Sequence, residues 1–190
     1  VRSTVASSSS GYAAPSACPS AAQLFSAMDK TTFDKYVDSL TANGYTYPDV
    51  GLMWGARLSS PTGIWSNSVN DTTGGSGSVT RHMIFMTDGD VEPNLTTQSA
   101  YGIESVDKRI TGTGVATDQY DRHRSRFLAV CEAIKARGIR LWAISFATTL
   151  TTDLTTCASP NSVYTAKDAA QLNAAFSGIA KKISELRVTK

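Results

Sequence analysis

Asp88 and Asp90 flank a glycine directly after the apolar run HMIFM, in the stretch RHMIFMTDGD from Arg81 to Asp90. Carboxylates and hydroxyls that converge at one point are hard oxygen ligands. They suit Mg²⁺, or Mn²⁺ or Ca²⁺, and Mg²⁺ takes few protein ligands and keeps several waters. Thr46 offers a hydroxyl of this kind in the loop before YPDVGLMWG. Two further carboxylates are weaker candidates. Asp90 follows the glycine and is expected to point outward, and Asp49 falls in a first helical turn, where the macrodipole favours a carboxylate for structural reasons alone. Taken as isolated residues, Asp-Gly is a common turn and Thr a common helix cap, so the structural reading is the commoner one.

Other catalytic patterns are thin. His82 lies inside an apolar run and His123 among arginines, and each reads as structural or solvated rather than as a general base. No Gly-x-Ser-x-Gly elbow and no phosphate-cradling glycine loop before a helix occurs. Arg122, Arg124 and Arg126, with Arg109 nearby, read first as a solvated face and second as a patch for an acidic partner. Cys18, Cys131 and Cys157 form no Cys-x-x-Cys pair, which argues against a structural zinc. Composition alone leaves open three buried thiols or one disulfide and a spare.

The 190 residues carry 18 basic against 16 acidic side chains and no basic block, which excludes nucleic acid and an anionic membrane surface as expected partners. A hydrophobic fraction of 41% suffices for the core of one domain. The longest apolar runs, such as LWAISFA, fall far short of the ~20 residues of a membrane span. Residues 1–30 are Ser/Ala-rich and read as a linker or insertion, and the start at Val1 suggests a fragment or a processed chain.

The elements that must position Asp88 follow from periodicity. A first helix is expected with Thr32 as cap, Phe33, Tyr36, Val37 and Leu40 as a core face, and Asn43-Gly44 as its stop. A second helix starts near Pro48, carries Leu52, Met53 and Ala56 on one side, and ends at Ser59-Ser60-Pro61. Residues 66–78 are too polar to pack. HMIFM, apolar at all positions but the first, predicts a strand covered on both faces, as in a parallel α/β sheet. Residues 91–118 show no period and form a loop long enough to be functional or disordered. Phe127, Leu128, Cys131 and Ile134 mark a helix ended by Gly138. IRLWAISFA and SVYTA are strands, and Leu172, Phe176, Ile179, Ile183 and Leu186 stripe a last helix. Strand, helix, strand in that order implies a parallel crossover.

Several stretches carry a resemblance: NGYTYPDVGLMWGARLSSPTGIW, RHMIFMTDGD, AYGIESVDKRI, RHRSRFLAVCEAIKARGIRLWAISFATTLTTDLTTCAS and LNAAFSGIAKKISELRVTK. Together they resemble, over residues 31–190, the C-terminal portion of von Willebrand factor type A domains in the form carried by TadE/TadG-like pilus assembly proteins of bacteria. The resemblance implies an α/β fold, a doubly wound, mostly parallel, Rossmann-like sheet with its first strands missing from this chain. It implies a metal-ion-dependent adhesion site at the sheet's upper edge, where Thr46 matches the threonine of the second metal loop and Asp88 the aspartate of the third. The first loop, Asp-x-Ser-x-Ser, is absent: Asp29, Asp71, Asp118 and Asp153 are each followed by residues that break the pattern.

The implied function is non-enzymatic binding or assembly with a pilus or envelope protein, in the bacterial periplasm or at the cell surface, anchored to the membrane through a segment outside this chain. The missing N-terminal half of the same domain is a second expected partner, because without it the strand ending at Asp88 keeps an unpaired edge. Mg²⁺, Mn²⁺ or Ca²⁺ is expected to bind only when the upstream loop is present. An oxidising compartment also implies a disulfide between Cys131, which faces the sheet, and Cys157, where the chain returns towards that helix, with Cys18 left over. The rival reading is a Mg²⁺-dependent phosphatase of haloacid-dehalogenase type. Those enzymes need an Asp nucleophile with a second Asp two residues on, the spacing of Asp88 and Asp90, although the downstream elements suit the adhesion-type domain better.

Overall fold

The computed structural model describes residues 20–41, 45–70 and 79–188, and the side chains of 186–188 lie outside that description. Cys18, most of the Ser/Ala-rich start, the Asn43-Gly44 stop, Asp71, the glycine-rich 72–78 and the Leu186 side chain therefore fall outside the described residues. In chain order the elements are α1 (Lys30–Asp38), α2 (Pro48–Leu58), α3 (Ser66–Val69), β1 (Arg81–Thr87), α4 (Glu104–Asp107), α5 (Ala116–Ala136), β2 (Ile139–Phe146), α6 (Thr152–Cys157), β3 (Val163–Ala166) and α7 (Ala169–Val188). They divide into two compact units. Of the described residues, the first takes those before 79 with 91–126, and the second takes 79–90 with those from 127 onward.

The second unit is an α/β layer on an open, all-parallel three-stranded sheet of order β1-β2-β3. β2 is central because its sequence can bury both faces: Ile139, Leu141, Trp142, Ala143, Ile144 and Ser145 are all buried. On one face Trp142 and Ile144 pack against Ala175 and Ile179 of α7, with Tyr164, Leu172 and Ile183 around them. On β1, Phe85 meets Phe127 of α5 with ring centroids 5.4 Å apart. Gly138, at φ +72, closes α5 with a left-handed residue that would strain any side chain.

The expectation that HMIFM is covered on both faces needs correction. Among the described residues β1 is an edge strand, and Ile84 and Met86, in register with Trp142 and Ile144, are 39% and 48% exposed. α7 lies against β3 and the β2 cluster, so its cover does not extend to these two residues. The stripe of α7 is also corrected. Leu172, Ala175, Ile179 and Ile183 form the inward face, and Phe176 is 40% exposed, because the small Ala175 occupies the position against the sheet.

The disulfide joins Cys131 of α5 to Cys157 of α6, with Cα atoms 5.0 Å apart and both residues fully buried. α6 is too short to leave a periodic signal in the sequence. Thr151 caps it by accepting from the Leu154 amide at 3.2 Å, and the helix brings Cys157 back to α5.

In the first unit, α2 starts with Pro48 at its first turn and buries Leu52, as its spacing predicts. α1 departs from expectation twice. Its cap is Asp29, which accepts from the Thr32 amide at 2.7 Å, since a carboxylate satisfies the orphan donors better than the Thr32 hydroxyl one turn later. Its apolar stripe is not core either: Phe33, Val37 and Leu40 are exposed, and no residue of the helix is buried. Residues 66–69, read as loop, form the short α3 and bury Val69.

The stretch 91–118 is ordered by its own polar side chains rather than by a period. Asn94 Oδ1 accepts from the amides of Thr96 and Thr97, and Asp107 Oδ2 accepts from the Ile103 amide at 2.8 Å. Ile103 and Ile110 are buried, α4 spans Glu104–Asp107, and α5 already begins at Ala116. Side-chain caps of this kind leave no periodic trace in the sequence.

Two outcomes follow for stability. Reduction of the Cys131–Cys157 bridge, or the double substitution Cys131→Ser with Cys157→Ser, lowers the unfolding free energy by about 3 kcal/mol in urea titrations, and an unchanged midpoint contradicts this. Ile179→Ala costs about 2–5 kcal/mol, whereas Phe176→Ala costs less than about 1 kcal/mol. Equal losses would restore the stripe read from the sequence.

Candidate functional site

β1 delivers Asp88 to its carboxyl end, the side of a parallel sheet where ligands usually bind. The turn beyond it is fixed by Thr87, whose hydroxyl donates to the Gly89 carbonyl at 2.8 Å and accepts from the Gly89 amide at 3.3 Å. Space does not require a glycine in this turn, since a Cβ added at Gly89 meets nothing within 4 Å. The knot leaves the carboxylates of Asp88 and Asp90 exposed and free of any hydrogen bond or ion pair among the described residues.

Thr46 belongs to the first unit and Asp88 to the second, so the two residues expected to share an ion are divided between the units. Thr46 pairs through its backbone with Glu92, amide to carbonyl at 3.2 Å and carbonyl to amide at 3.0 Å, as an isolated antiparallel bridge. Its half-buried side-chain hydroxyl makes no hydrogen bond among the described residues. The next residue, Tyr47, anchors the loop: its phenol accepts from the Asn94 amide at 3.0 Å.

Asp49 points elsewhere. It is 1% exposed, and its Oδ2 receives Nδ1 of the fully buried His123 at 2.9 Å and the Tyr101 hydroxyl at 3.2 Å. Oδ2 is the acceptor in both contacts when the imidazole carries its proton on Nδ1. The rings of Tyr47 and Tyr101 pack on His123 with centroids at 5.0 and 5.6 Å, and the Arg126 guanidinium lies 5.4 Å from the Tyr101 ring. Asp49 Oδ1 and His123 Nε2 remain buried without a hydrogen-bond partner. A pair so enclosed has no approach for substrate, and its role is to tie α2 to α5.

Glu104, 3% exposed, is a second buried carboxylate in this unit. It accepts from the Ile110 amide at 3.0 Å, the Thr111 amide at 2.8 Å and the Thr111 hydroxyl at 2.7 Å. Burial works to raise its pKa, but the hydrogen bonds from Thr111 and Ile110 and the neighbouring His123 outweigh that, and the carboxyl is held below its ordinary value. Burial, then the Asp49 charge, push the Tyr101 phenol above its ordinary value.

His82, the other histidine, accepts from the Trp142 indole at 3.2 Å and stacks beside it. Of the basic cluster, Arg122 and Arg124 are exposed, and Arg109 lies 3.8 Å from Asp107.

Among the described residues no three of His, Cys, Asp or Glu gather where they could hold a metal ion. The donors of Asp88 and Thr46 are chemically suited to a hard cation, being uncommitted oxygens, but two ligands do not close a site. No helix among the described residues is long and apolar enough to cross a membrane. Comparison with family models, curated proteins and solved structures finds no match to the chain.

The Glu104 contacts carry a pH signature. A carboxylate whose folded pKa lies below its ordinary 4.5 stabilises the fold above that value, and the contribution is lost as pH falls through the folded pKa. Glu104→Gln keeps an accepting oxygen but cannot titrate. Its urea midpoint therefore declines less steeply than the parent's between about pH 6 and pH 3, and parallel acid limbs would contradict the assignment.

Proposed function

We propose that the chain is a non-enzymatic binding or assembly module: the C-terminal portion of a von Willebrand factor A-like domain, of the kind carried by TadE/TadG-like pilus assembly proteins. The observation that supports it best is the Thr87–Asp90 turn, which holds two exposed, uncommitted carboxylates at the carboxyl end of β1 in an all-parallel sheet. In this reading Asp88 is one ligand of a divalent cation, Thr46 supplies a hydroxyl from the second loop, and Asp90 is subsidiary. The cation's part is to accept a carboxylate from a pilus or envelope protein. The chain's own residues orient the acidic edge and leave it open.

The reading places the protein in the bacterial periplasm or at the cell surface, which agrees with the Cys131–Cys157 disulfide. β1 has one strand neighbour among the described residues, which leaves its other edge unpaired there, and Ile84 and Met86 lie exposed on the face they share with Trp142 and Ile144. The amino-terminal half of the same domain is the proposed occupant of that edge. It would bring the missing Asp-x-Ser-x-Ser loop.

The test is calorimetric titration of Mg²⁺ and Mn²⁺ into this chain and into a protein that also contains the upstream half. Weak or undetectable binding to the chain alone, with binding to the longer protein that Asp88→Ala lowers by about tenfold or more, supports the assignment. Tight binding to this chain that survives Asp88→Ala overturns it. Turnover of p-nitrophenyl phosphate, abolished by Asp88→Asn, would favour the phosphatase reading instead.

A further inference from the structure

The α2–α3 corner of the first unit holds a feature that the Asp88 edge does not use. Trp54 and Arg57 lie three residues apart on α2 and so share one side of the helix. The turn that follows is tight: the Ser60 amide bonds the Arg57 carbonyl, the Gly63 amide the Ser60 carbonyl, and the Ser66 amide the Gly63 carbonyl at 3.0 Å. Gly63 comes so close that an added Cβ would lie 3.1 Å from Ser60 Cβ. The turn swings Trp65 round to Trp54, with ring centroids 6.1 Å apart and the planes inclined at 48°. Beside this aromatic pair opens a pocket of about 260 Å³ lined by Trp54, Arg57, Ser60, Gly63, Ile64 and Trp65.

Three properties mark it as a recognition surface. Trp54 is 41% exposed and Ile64 86% exposed, large apolar side chains held in water at the mouth of the pocket. Arg57 is a cation with no carboxylate partner among the described residues, and its guanidinium stands 5.2 Å from the Trp54 ring centroid. The wall is mostly apolar, with Arg57 and Ser60 as its polar side chains.

We propose that this pocket docks an extended acidic peptide segment, packing a proline ring against the apolar wall of Trp54, Ile64 and Trp65 while a neighbouring carboxylate of the segment pairs with Arg57. Inclined aromatic rings suit proline, whose extended helix is already formed before binding and loses little entropy on docking. The charge complement is set by Arg57, the cation left without an acidic partner at the rim. A sugar fits less well, since its ring carries hydroxyls around its edge and so few polar side chains cannot satisfy them. The volume suits one side chain and its backbone rather than a cofactor, whose sites run to about 300–1,000 Å³.

The pocket lies within one unit and needs neither Asp88 nor a cation, so it stands or falls apart from the adhesion reading. The experiment uses the full chain and fluorescein-labelled decapeptides of alternating Glu and Pro or of alternating Lys and Pro, read by anisotropy, with glucuronic acid as competitor. The Glu-Pro peptide is expected to bind at least about tenfold more tightly than the Lys-Pro peptide. Trp54→Ala is expected to abolish binding and Arg57→Gln to weaken it by about tenfold. Ile64→Asp, at a rim position too exposed to affect folding, is expected to weaken it by repulsion. No binding of the Glu-Pro peptide, equal binding of the two peptides, displacement by glucuronic acid, or binding indifferent to Arg57→Gln and Ile64→Asp would each overturn the proposal.

Discussion

The parallel ladder between β1 and β2 is the interaction on which the second unit depends. Seven residues of β1 run in register with β2, from Arg81 against Ile139 to Thr87 against Ser145. That register carries Asp88 to the sheet's carboxyl edge and sets Phe85 beside Phe127. β2 can support it because both of its faces are apolar and buried, with α7 closing one of them through Ala175 and Ile179. The disulfide from α5 to α6 then fixes the helix that precedes β2 to the helix that follows it. Among the described residues β1 contributes one paired edge and one open one.

The first unit is organised by polar groups instead. His123, Asp49 and Glu104 are buried, which is costly unless their charges and protons find partners. Asp49 has an imidazole and a phenol, and Glu104 has two amides and a hydroxyl. These bonds give shape to residues 91–118, which have few apolar side chains to do so. The two remaining buried atoms, Asp49 Oδ1 and His123 Nε2, show that the network is only partly satisfied. It is therefore the place where a substitution should matter most, since removing one member strands the others in a dry interior.

The sequence was most legible where periodicity and packing agree. α2, β2, β3, the end of α5 and the inward face of α7 near Ile179 all follow from spacing and from glycine or proline punctuation. It misled where burial depends on how far a neighbouring element reaches. HMIFM is apolar on both sides, but α7 covers only the β2 side of that face, and no residue of the α1 stripe is buried. The Asp49–His123 pair is separated by 74 residues and could not be read from local spacing. One signal did exist. Gln119, His123, Phe127, Cys131 and Ile134 recur at helical spacing and are all buried, so the stripe recognised from Phe127 onward extends back to His123. The surrounding Arg122 and Arg124 hid it, because they flank His123 in sequence but lie on exposed sides of the same turns.

The central claim is that β1 is held along one side by β2 and, among the described residues, has its outer side open for a pairing partner. Amide hydrogen exchange of the isolated chain tests this strand by strand. In a parallel ladder alternate amides of an edge strand point away from its neighbour. Every second amide between Arg81 and Thr87 should therefore exchange fast, while those of Trp142 to Ser145 in β2 are protected throughout. Uniform slow exchange along β1, equal to that of β2, would mean that its outer edge is already paired and would contradict the account.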